Sequence, residues 1–281
     1  MKVERKLKCL FLLSSFILLS SCSFLSREPL RREQGEVKKS SNIAPRINSG
    51  IKKTKFSLKT TNLNYELTDK AGNFNLNINE GLTKKGNAYA TKTIIYEHSK
   101  TQSVLEKTIS LSKMGKLGRS FILRPEVSEH SVWFSGEKYF TRIRLLADKR
   151  ALSVKLTSPE DKWNKSFEVS LPKSSKLFCF FSQVIACSGK IGFIEKAIAA
   201  RSGKMDFQVI WESYPYFTEQ YLNMPEEVFS DASLSFDEIT PEGHFRFNFT
   251  FEGQSIFYDL DENLKLVKKF WVVQGYTLLR K

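Results

Sequence analysis

The chain has 281 residues, with 44 Lys and Arg against 30 Asp and Glu, and a formal charge of +14. Apolar residues make up 41% and charged residues 26%, enough to bury a sizeable core, which excludes wholesale disorder. A mean hydropathy of −0.31 excludes a polytopic membrane protein, and 3 His and 4 Cys leave little material for metal chemistry.

Residues 1–8, MKVERKLK, carry Lys2, Arg5, Lys6 and Lys8 against Glu4, and residues 9–21, CLFLLSSFILLSS, are apolar or small. As a helix the apolar run is about 20 Å long, short of a ~30 Å hydrocarbon core. A basic start before a short apolar stretch is the pattern of a secretory signal over residues 1–21. The end of the stretch, Leu19-Ser20-Ser21-Cys22, resembles the lipobox of bacterial lipoproteins. The resemblance implies a thioether-linked diacylglycerol on Cys22, cleavage before it and acylation of the new amine. An ordinary signal peptide with a chance Cys is the alternative. Ser23 stands where enteric-type sorting places an inner-membrane Asp, so the expected location is the cell envelope, at the outer membrane facing the periplasm.

Residues 22–55 read as a basic tether. Arg27, Arg31, Arg32, Lys38, Lys39, Arg46, Lys52, Lys53 and Lys55 face only Glu28, Glu33 and Glu36, and large apolar residues are few and aperiodic. Such a segment either lies on acidic lipid headgroups or is simply a solvated linker. An exported chain with no recognition motif is not expected to bind nucleic acid.

Residues 56–281 read as one β-rich domain. Phe74-Asn75-Leu76-Asn77-Ile78 alternates apolar and polar, as does Phe245–Phe251, FRFNFTF. Further strands are expected at 56–67, 88–97, 104–112, 119–124, 131–135, 137–146, 150–157, 165–170, 205–212, 232–239, 254–260, 264–273 and 275–280. Turn sequences such as Lys85-Gly86-Asn87 and Glu252-Gly253 separate them. Helical spacing appears over 176–202, with Gly189 and Gly203 as stops, and over 216–222 between Pro215 and Pro225. The fold class is therefore α+β, mainly β: a large curved antiparallel sheet or half-barrel with one or two helices.

Cys179 and Cys187 remain after the signal and the lipid site. An exported compartment favours a disulfide between them, but one continuous helix would hold them about 12 Å apart. A bend at Ser182-Gln183 permits the bond; two small buried hydrophobes on a helix are the alternative.

No catalytic or metal constellation emerges. His98, His130 and His244 are scattered; Asp259, Asp261 and Glu262 fit a polar turn rather than a calcium loop. Glu80, Glu97 and Glu212 near strand ends form a carboxylate set of little specificity. The chain is read as a non-enzyme without cofactor. Phe245, Phe247, Phe249 and Phe251 share one face of a strand, either as ordinary core or as an apolar ligand face under the helices. Trp211, Tyr214, Tyr216, Phe217 and Tyr221 cluster around Pro215 and suit a cavity mouth, a protein interface or plain packing.

A lipobox, a long meander, a late helical insertion and a terminal hairpin together are similar to the half-barrel lipid-binding lipoproteins of the bacterial envelope, such as the lipoprotein-localisation factors. That resemblance implies a protein that holds a lipid or acyl chain in a hollow sheet. The other reading is a tethered interaction or assembly module with another envelope protein as partner and no cavity.

Overall fold

A computed structural model describes residues 61–68, 76–97, 103–174 and 177–281. Cys22, the signal over 1–21, the tether over 22–55 and His98 lie outside the described residues. The strands are β1 (Thr61–Thr68), β2 (Leu76–Lys85), β3 (Ala88–Glu97), β4 (Val104–Leu117), β5 (Ser120–Phe134), β6 (Glu137–Leu146), β7 (Ala151–Thr157), β8 (Lys165–Ser170), β9 (Phe178–Phe180), β10 (Lys204–Ile210), β11 (Phe229–Ile239), β12 (Phe245–Phe251), β13 (Gln254–Leu260), β14 (Leu266–Trp271) and β15 (Tyr276–Arg280). The helices are α1 (Val184–Lys190), α2 (Phe193–Ala200) and the single turn α3 (Phe217–Gln220).

Alternation and short turns dictate a meander, and all 15 strands join one sheet. From its centre, where β1 pairs with β15, the sheet runs outward through β2 to β8 on one side and back through β14 to β9 on the other. Neighbours are antiparallel except for the parallel pair β9–β10. The chain thus leaves one edge at β8 and enters the other at β9. Chain contacts bring β9 and α1 against β5, and the 3-10 turn Phe181–Gln183 against β3. The sheet therefore curls round the stretch from β9 through α1. This is a mainly β, curved antiparallel sheet with a few short helices.

Two departures from the expected elements have local causes. The segments 119–124 and 131–135 belong to one strand, β5, which runs through Pro125. Pro125 has no N–H to give, and a register shift between Leu111 and Ser112 in β4 lies opposite it, so the ladder bulges instead of ending. The expected helix over 176–202 is divided into β9, a 3-10 turn, α1 and α2. Gly192 separates the helices at φ 80°, left-handed backbone that suits glycine, while Gly189 lies buried inside α1.

The main core lies between the helices and β10–β14. Phe247, Phe249 and Phe251 are fully buried there beside Ile194, Ala197, Val209 and Leu234, and Phe245 is half-buried against them. Ring contacts tie Phe247 to Phe193 and Phe236, and Phe251 to Trp211. A second core joins Ile143, Leu152, Val154 and Leu156 of β6 and β7 to Phe180, Ile210 and Val228. It packs the β8 side of the sheet onto the β9–β10 edge.

The cysteine pair departs from the expected disulfide. Cys179 on β9 and Cys187 on α1 are both free thiols and both buried. The break between strand and helix brings them together as a hydrogen-bonded thiol pair, and burial pushes the Cys179 thiol well above its ordinary value. A thiol held neutral is a poor nucleophile, so the pair packs as small core residues.

Candidate functional site

The curl leaves a partly enclosed cavity of about 600 Å³ between β1–β4, β13–β15, α1 and the loop after β10. Strand alternation sets its walls. Leu63, Tyr65 and Leu67 of β1, Ile78, Glu80 and Leu82 of β2, Thr91, Thr93 and Ile95 of β3, and Glu106 and Thr108 of β4 all line it. Leu266, Lys269 and Trp271 of β14, with Tyr276 and Leu278 of β15, form the opposite wall, and Val184 and Ile185 of α1 complete it. Asn263 and Lys265 are lining residues that are exposed, which places an opening beside the turn from β13 to β14.

Three carboxylates and one ammonium meet in this apolar frame. Lys269 interacts electrostatically with Glu80, Glu106 and Glu212, and desolvation lowers its pKa to about 8. Its Nζ lies 4.3 Å from the centre of the Phe181 ring and 5.5 Å from that of Tyr258, within cation–π range. Among the described residues neither the Lys269 nor the Glu80 side chain has a hydrogen bond or a close ion pair. Desolvation raises the Glu80 carboxyl above its usual range, against the pull of Lys269. Glu106 is raised to about 7, again mainly by desolvation, with Gln220 and Lys269 opposing.

Glu212 is held differently. Its Oε1 accepts from Ser110 Oγ at 2.8 Å, Ser182 Oγ at 2.5 Å and the Ser182 N–H at 3.1 Å, and its Oε2 accepts from the Phe181 N–H at 3.0 Å. Burial raises its pKa and these donors oppose the rise. Gln183 continues the same seam. Ser112 Oγ donates to its Oε1 at 2.5 Å, and its Nε2 donates to Thr91 Oγ1 at 3.1 Å and to the Ser110 carbonyl at 2.9 Å. These bonds pin the 3-10 turn onto β3 and β4.

Behind Glu106 lies His130, fully buried, with Nδ1 3.0 Å from Thr108 Oγ1 and 3.8 Å from Glu106 Oε1. Desolvation drives its pKa down to about 3, so it is neutral beside Glu106. Tyr65 lines the cavity at 1% exposure, and among the described residues its hydroxyl has no hydrogen-bond partner.

The residues singled out from the sequence are distributed as follows. None of Phe245, Phe247, Phe249 and Phe251 lines this cavity; they form the packed floor of the neighbouring core, and the hollow lies on the β1–β4 side. Of the aromatic cluster, Trp211, Phe217 and Tyr221 line the cavity, with Tyr221 stacked on Trp271 at 5.1 Å. Tyr214 and Tyr216 turn the other way, toward Phe167 and toward Tyr139 and Trp163. Glu80 and Glu212 come together, but Glu97 is exposed at the end of β3 and Glu106 takes the third place. Asp261 Oδ1 accepts from the Asn263 and Lys265 N–H groups at 2.9 Å each, as a polar turn requires. Glu106 and Lys269 stand in the sequence without a pattern that marks them. A period-two reading exposes one member of the set: Glu80 stands on the same face as Ile78 and Leu82, where an apolar residue belongs.

No family model matches the chain, and no curated protein matches it. Among solved structures it is similar to the crystal structure of a beta-barrel-like protein of Domain of Unknown Function DUF1849 from Brucella abortus. The two share 12% identity over 80% of this chain and 96% of the other, with a TM-score of 0.44.

Proposed function

We propose that this protein is a lipid-anchored component of the bacterial envelope that takes a lipid or acyl chain into the cavity of its curved sheet. The cavity is the observation that carries the reading. Its volume of about 600 Å³ falls in the ordinary range of small-molecule sites, roughly 300–1,000 Å³. Leu63, Leu67, Ile78, Leu82, Ile95 and Leu278 present aliphatic surface to it, and each methylene of a chain buried there contributes ~0.8 kcal/mol. The lipobox at Cys22 supports the anchor, and the basic tether supports contact with acidic headgroups. An assembly module without a hollow does not account for this cavity. Nor do Trp211 and Phe217 form an exposed patch, since both are buried.

A fluorescent fatty-acyl probe tests the reading. The protein should bind it saturably at one site per chain. Ile95→Trp, which pushes an indole into the space, should abolish binding while leaving the unfolding transition cooperative. Binding undisturbed by Ile95→Trp, or no binding by the parent protein, would overturn the proposal.

A further inference from the structure

We infer that the ligand of this cavity carries an amine-type cation on an apolar chain, its ammonium held by Glu80 and Glu106 among aromatic rings. This rests on the reading of the cavity as a ligand site. Four observations support it. The cavity gathers Glu80, Glu106 and Glu212 round one inward cation, Lys269, while its other lysine, Lys265, is exposed at the opening. Glu212 is already supplied with four donors, whereas among the described residues the Glu80 carboxylate has no hydrogen bond or close ion pair. Aromatic faces adjoin them: Phe181 and Tyr258 already take the Lys269 ammonium, and Tyr221 and Trp271 stack along the wall. Finally, the Tyr65 hydroxyl, almost wholly buried in the lining, has no partner among the described residues and adds an acceptor oxygen. Glu106 takes one long donor, Gln220 Nε2 at 3.4 Å, and under-satisfied carboxylates beside π faces are the chemistry that recognises organic ammonium groups. Once Glu106 is ionised, a carboxylate or phosphate ligand would instead meet a like charge there.

The charge state of Glu106 makes the inference pH-sensitive. The groups facing it are Lys269 from β14, Glu212 after β10, Gln220 of α3 with Tyr221 beyond it, and His130 from β5. His130 is neutral, so Lys269 is the one cation among them. Glu106 ionises near pH 7, and a bound ammonium favours the ionised form, so binding releases a proton around neutrality.

Calorimetric titration of the whole protein with dodecylamine, dodecanoate and dodecanol, each below its micelle concentration, tests this. Dodecylamine should bind at least about tenfold more tightly than dodecanoate, and its affinity should rise from about pH 6 to about pH 8. Glu80→Gln and Glu106→Gln should each weaken the amine by about tenfold or more and leave dodecanol unchanged, which shows that the site still folds. Glu106→Gln should also flatten the pH dependence, and Lys269→Met should tighten the amine. Dodecanoate binding as well as the amine, or an amine affinity indifferent to both Gln variants, would overturn the inference and leave the cavity reading standing. Failure of all three probes to bind would overturn both.

Discussion

Glu212 and Glu106 sit in one cavity and play opposite parts. Glu212 fastens the 3-10 turn to β4, so Glu212→Ala should strand the Ser110 and Ser182 hydroxyls and two backbone N–H groups. At ~1–3 kcal/mol for each buried group left unpaired and partial relaxation, a loss of about 3 kcal/mol is expected. Glu212→Gln, which keeps an acceptor, should cost less than half of that. Urea unfolding of the two variants measures both, and equal costs would contradict the clamp. Glu106 has few donors, and its folded pKa of about 7 lies above the ordinary 4.5. Its contribution is therefore fully present below about pH 4.5 and lost as pH rises through 7. Glu106→Gln should gain on the parent between pH 5 and pH 8, by up to about 3 kcal/mol. A parallel pH profile for parent and variant would contradict it. His130 acts in the opposite sense. Its folded pKa of about 3 lies below the ordinary 6.5, so its contribution is present above 6.5 and lost as pH falls toward 3. The sequence hints at only part of this set. Glu80 breaks an apolar period, but Glu106 shares its face with Thr108, Ser110 and Ser112, which reads as a solvent face. Only the curl of the sheet turns that face inward.

Among the elements, period-two alternation made the strands legible because most have one apolar face and short turns. Phe245–Phe251 shows both the reach and the limit of such reading. Its four rings share a face under the helices, as alternation requires, yet they fill the core where a hollow was one of the two expectations. Alternation assigns a face and is silent on whether the space above it is filled. Here Phe193 of α2 and Phe236 of β11 supply the filling. Phe247→Ala should therefore cost about 3–5 kcal/mol, the usual loss for a truncated buried aromatic. The folded fraction should bind an acyl probe with unchanged affinity, because the ring is not in the cavity wall. A weakened affinity would place the ligand over the stripe instead. The division of the 176–202 segment was less legible, since β9 is three residues long and depends on β10 for its pairing. Apolar residues at helical spacing also suit a strand followed by a turn and two short helices.

For the whole molecule, the stretch from β9 through α2, at one edge of the sheet, determines what the sheet encloses. A meander of this length rarely stays open and twisted, and this one curls around the stretch from β9 through α2. That segment occupies one side of the interior, with α1, α2 and the Phe stripe, and the cavity takes the other. The lipid anchor is a separate expectation with its own test. Cys22→Ala should leave the protein unlipidated and release it from the membrane fraction; a variant still processed and membrane-bound would contradict the lipobox reading. The central claim is that the cavity holds an apolar chain, and native mass spectrometry of the Cys22→Ala protein purified from its own cells tests it most directly. One lipid-sized adduct per chain is expected, absent from the same protein carrying Ile95→Trp. A spectrum of bare protein, or an adduct that survives Ile95→Trp, would contradict it.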